Sequence, residues 1–153
     1  MHLRRTASAL GAATALALAL GAPTAQAAGS VPPEQVAAGR ICADQLASLQ
    51  DAVSEAQYLA LEGQPVDWDR VHAELDGANG AACESFTSLT AAPLALVGDL
   101  VNSAQAYDAA GDHPATFCPL DDAVWTLGPT AYEVYKAVGI DRTKPVRGTS
   151  SCA

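Results

Sequence analysis

Aromatic residues make up only 5% of the 153-residue chain, and methionine occurs once, so any core must be filled mainly by Ala, Val and Leu. A core of that kind packs tightly and leaves little room for a lipid- or haem-sized cavity. Positive charge is equally scarce: eight Lys and Arg face seventeen Asp and Glu, for a formal net charge of -9. Arg4 and Arg5 lie in the first few residues, and between them and Tyr135 only Arg40 and Arg70 are basic. A body this acidic excludes nucleic acid and anionic membrane surfaces as partners. It allows a basic partner, or serves only to keep the protein soluble. Lys136, Arg142, Lys144 and Arg147 then cluster near the end of the chain.

Catalytic signatures are missing. No Gly-x-Ser-x-Gly elbow and no His-Glu-x-x-His pair occurs. Gly77-Ala78-Asn79-Gly80 has neither the preceding strand nor the following lysine of a phosphate loop, and lacks the alternating acids of a calcium loop. There is no strand-like alternation of useful length, no internal repeat and no low-complexity linker. No apolar run after residue 20 is long enough to span a bilayer; the best, 93–101, is interrupted by Asp99.

The chain does begin with the three-part layout of an export signal. A basic start ends in Arg4-Arg5, an uncharged Ala/Leu-rich run covers 6–20, and Ala25-Gln26-Ala27 offers small residues for cleavage. The expectation is a signal peptide over 1–27, using the general secretory route rather than the twin-arginine one, and a single helical domain over 28–153. The mature protein is then secreted, or periplasmic, with no membrane span.

Export gives the cysteines their meaning. Cys42, Cys83, Cys118 and Cys152 enter an oxidising compartment and read as two disulfides. Four cysteines allow three pairings. Cys42 and Cys83 are placed symmetrically about the breaker Gly63-Gln64-Pro65, so two antiparallel helices would bring them to the same height. Cys83–Cys118 would be centred near Leu100, where no turn is signalled. The preferred pairing is Cys42–Cys83 with Cys118–Cys152.

The helical pattern supports this. Cys42, Leu46, Leu49, Val53, Ala56 and Ala60 step by four and three, predicting a helix over 33–62 with a weak point at Gly39. Asp67 is an N-cap for a return arm through Trp68, Val71, Leu75, Ala78 and Ala82, with a bend or break at 76–80 and resumption from Ala81. Pro93 is expected to open or kink a third helix that Gly111 ends. Asp112-His113-Pro114 is read as a turn and Cys118-Pro119 as the start of the next helix, with Asp121 and Asp122 as first-turn acids. Gly128-Pro129 is read as a break before a last helix, and Gly139-Ile140 as a left-handed helix end. From about 141 the chain is expected to be extended, returning Cys152 to Cys118. The fold class is all-α: a small disulfide-stapled bundle of four or five helices on an antiparallel hairpin.

Candidate chemistry is thin. Asp69, His72 and Asp76 share one helical face, but three ligands from one helix do not close a metal site without another element. They read as a solvated face. His113 reads as a cation at a helix end, and Asp121-Asp122 as a capping pair. Tyr132 and Tyr135 either edge a pocket or fill gaps in the core. No catalytic, metal-binding or cofactor-binding residue is assigned, and no cofactor. Three functions remain. A secreted, non-catalytic protein that binds another extracellular protein or a surface component stands first. A small-ligand carrier, apolar or haem-like, stands second, and a small exported hydrolase third.

Overall fold

The computed structural model describes residues 31–145 and Cys152; the export signal over 1–27 lies outside the described residues. Helix α1 (Pro33–Leu61) starts with proline in its first turn, where a missing N–H costs nothing. All six residues of its expected seam are buried, from Cys42 to Ala60. It ends at Gly63, whose φ of 65° suits glycine, and Leu61 at its end stays 60% exposed. Helix α2 (Trp68–Asn79) is capped by Asp67, whose carboxylate accepts from the Arg70 backbone N–H at 3.1 Å. It does not resume at Ala81. A turn carries the chain through Gly80, and a short 3₁₀ segment (Glu84–Phe86) leads into α3 (Thr87–Ala109).

Helix α3 begins six residues before Pro93, which sits inside it without ending it. Helix α4 (His113–Ala137) departs further from expectation. Asp112 is its N-cap and accepts from the Ala115 backbone N–H at 3.2 Å, so Asp112-His113-Pro114 starts a helix instead of forming a turn. The helix then runs through Pro119 and Gly128-Pro129 without a break. Each internal proline removes a backbone bond and costs about 3 kcal/mol in an isolated helix. Packing overrides that cost: α4 is clasped between α1 and α3, and Leu120, Ala123, Leu127 and Val134 are fully buried. Thr116, Thr126 and Thr130 hydroxyls donate to carbonyls one turn earlier, which accommodates bending near the prolines.

Contacts fix the topology. Along α1, Gly39, Gln50 and Gln57 meet Val138, Gly128 and Asp121, so α4 runs antiparallel to α1. Cys42, Gln45 and Glu55 meet Cys83, Glu74 and Arg70, so the return arm is antiparallel too. Trp68 and His72 of α2 meet Asp108 and Gln105 of α3. The result is an up-down-up-down four-helix bundle in which α2 is short. Cys42–Cys83 joins α1 to the connector after α2, with its Cα atoms 4.7 Å apart, and Cys118–Cys152 ties the C-terminus to α4. No helix of the described residues is long and apolar enough to cross a membrane.

Candidate functional site

The chain leaves α4 through Gly139, with φ 72°, while the Ile140 N–H bonds back to the Tyr135 carbonyl at 2.9 Å. This closes the helix as a left-handed cap with an apolar contact, since Ile140 packs against the core. Cys152 is bonded to Cys118, near the other end of α4, while residues 146–151 lie outside the described residues. At ~1.5 Å per residue the helix from Cys118 to Ala137 is about 28 Å long. The chain from Val138 to Cys152 reaches about 46 Å when extended. The length of this tail therefore suffices for the link.

A cleft of about 290 Å³ lies where this tail passes α1 and α4, open to solvent. Gln50 of α1 stands on one side. Gly128 and Ala131 form the floor, and Tyr132 and Tyr135 rise from α4. Arg142, Thr143 and Pro145 of the tail make the far wall. A second open hollow, about 210 Å³, shares Tyr132 and Arg142 and adds Lys136 and Asp141.

Three side chains hold the tail in place. The Tyr135 hydroxyl donates to Asp44 at 3.1 Å, and the Arg142 guanidinium sits 4.9 Å from the centre of the Tyr135 ring. Burial raises the Tyr135 pKa above its ordinary value, with the hydrogen bond and negative charge of Asp44 adding to it; Arg142 pulls the other way. Among the described residues no carboxylate pairs with Arg142. The sequence marks both tyrosines as a candidate pocket edge and Arg142 only as one of a basic cluster, and it gives no site role to Asp44 or Gln50. Nothing in the local pattern marks them, because the cleft is made by helix register and a disulfide.

The other candidates are dispersed. The His72 imidazole donates to Gln105 Oε1 at 2.9 Å, while Asp69 and Asp76 are exposed. Among the described residues no three His, Cys, Asp or Glu gather as a metal site. His113 opens α4 rather than closing α3, so it lies at the positive end of a dipole, not the negative one. Its Nδ1 is buried 3.5 Å from Asp108 Oδ1, too far for a hydrogen bond. Asp121 and Asp122 do not cap a helix. Asp121 is 7% exposed within α4 and accepts from Gln57 Nε2 at 3.1 Å, whereas Asp122 faces solvent. A partly open hollow between α1 and α2 measures about 20 Å³, room for about one water.

Comparison of the chain with protein-family models, with curated proteins and with solved structures finds no match.

Proposed function

We propose that this is an exported, non-catalytic binding protein, and that its binding face is the cleft between α1, α4 and the tail. The observation that carries this is the composition of that cleft. Tyr132, Tyr135 and Arg142 stand together on a surface fixed by two helices and a covalent strap. Tyrosine and arginine dominate binding hot spots because they offer large contact area and directional hydrogen bonds. A surface that is already ordered loses less entropy on binding.

Export is supported by the leader sequence and by the pairing of all four cysteines. A carrier of an enclosed apolar ligand has less support, because the larger hollows open to solvent and the most sheltered one holds about one water. A hydrolase has less support too, since the candidate carboxylates and histidines sit on separate faces.

The test is site-specific photo-crosslinking of the secreted protein in its native culture. A benzophenone side chain at Thr143, on the cleft wall, is expected to give a discrete higher-mass adduct. The same group at Asp76, exposed on α2, is expected to give none. Adducts from neither position, or equally from both, would remove this reading. N-terminal sequencing of the exported protein is expected to start at Ala28.

A further inference from the structure

The identity of the partner's contact segment can be taken one step further, resting on the binding reading above. Among the described residues Arg142 is the one charged side chain lining the larger of the two clefts at the tail, and its guanidinium faces an aromatic ring. Asp44 is occupied by the Tyr135 hydroxyl. Glu133 is turned to Lys136 at 3.8 Å, and Asp141 lines only the neighbouring hollow. The two hollows share Tyr132 and Arg142 in their lining and both are open. Together they make a track rather than a closed pocket, a shape that suits an extended chain with side chains in alternate hollows. Across an interface, a negative segment is favoured where an unpaired cation such as Arg142 lines the groove.

We propose that the cleft takes an extended acidic peptide segment of the partner protein, with a carboxylate on the Arg142 guanidinium and the chain lying against Tyr132 and Tyr135. Arginine presents a fork of N–H donors that matches a carboxylate, and stacking on Tyr135 fixes its plane beforehand.

The experiment is a calorimetric titration of the intact oxidised protein with a blocked hexapeptide of alternating Glu and Ala. Versions with Gln or Lys in place of Glu, and free acetate, serve as comparisons. The Glu peptide is expected to bind about tenfold more tightly than the Gln peptide, the scale of one charge-assisted hydrogen bond. Arg142→Gln is expected to abolish that difference, Tyr132→Ala to weaken both peptides, and Arg70→Gln to change neither. Binding of the Glu peptide is also expected to push Tyr135 ionisation to higher pH, because the carboxylate takes up the arginine's charge. Equal binding of the Gln or Lys peptide, saturation by acetate at the same carboxylate concentration, no binding at all, or no effect of Arg142→Gln overturns the proposal. A positive crosslink at position 143 alongside such a failure would leave the binding face standing with a partner of different chemistry.

Discussion

Gly39 and Val138 pack directly against each other where the start of α1 meets the end of α4. A Cβ on Gly39 would lie 2.5 Å from Val138 Cγ1, and Val138 is only 2% exposed. The glycine that the sequence marks as a weak point in α1 is therefore a docking point for the helix end that launches the tail.

Gly39→Ala should destabilise the protein by about 1–3 kcal/mol, the usual cost of overpacking. On helix propensity alone it would stabilise by about 1 kcal/mol, so the sign decides between the two effects. Adding Val138→Ala should relieve the Gly39→Ala clash, leaving a double variant more stable than the separate losses predict. Gly77→Ala should be milder, since the atom it meets at 2.7 Å is the flexible amide end of Gln45. Urea unfolding of the variants measures all of this.

Tyr135 makes a prediction at alkaline pH. Its folded pKa is raised above the ordinary value of 10.0. The folded state therefore holds the phenolic proton more tightly than the unfolded chain does. The resulting stability is fully present below about pH 10 and is lost as pH rises through the folded pKa. Ultraviolet titration of the phenolate should show one tyrosine ionising above the ordinary range, and Tyr135→Phe should remove it. Asp44→Asn should lower that pKa and Arg142→Gln should raise it. The opposite shifts would contradict the tail geometry.

Much of the architecture is legible in the sequence, and what is not has a common cause. The α1 seam, the Asp67 cap, the turn at Gly63 and both disulfides follow from spacing, because they depend on local geometry and one symmetric hairpin. The continuity of α4 does not. Pro119 and Gly128-Pro129 are strong local breakers, and only the clasp of α1 and α3 on either side overrules them. The same limit applies to Asp121. Its neighbours look like a first turn until Gln57, far away in the chain, is seen to bond it. The cleft is readable only in part, since Gln50, Tyr135 and Arg142 meet through register between elements.

The indole N–H of Trp68 donates to Asp108 Oδ2 at 2.8 Å, and Asp108 also faces His113 at the start of α4. One carboxylate thus ties the beginning of α2 to the end of α3 and lies 3.5 Å from the histidine that opens α4. Asp108→Ala should cost about 1–3 kcal/mol, because it leaves a partly buried indole donor unpaired. It should also change Trp68 emission, whereas Asp99→Ala, on the exposed face of the same helix, should do neither. Thermal unfolding followed by fluorescence checks both expectations.

The two disulfides should respond differently to reductant. Cys42 and Cys83 are 0% and 2% exposed, while Cys152 is exposed. Mild thiol treatment should open Cys118–Cys152 first and leave helicity intact. Opening Cys42–Cys83 should require unfolding and remove about 4 kcal/mol of loop-closure stabilisation. Alkylation and mass analysis over time would show the order. Simultaneous loss of both would contradict it.

The cleft depends most on the Cys118–Cys152 link, because without it the tail wall is not tied to α4. Digestion of the non-reduced protein on the N-terminal side of aspartate separates all four cysteines. Cys42 then precedes Asp44, Cys83 lies between Asp76 and Asp99, Cys118 between Asp112 and Asp121, and Cys152 after Asp141. Mass spectrometry should find the first peptide joined to the second and the third joined to the fourth. A peptide holding Cys118 joined to one holding Cys83 or Cys42 would contradict the fold of the tail and the site built on it.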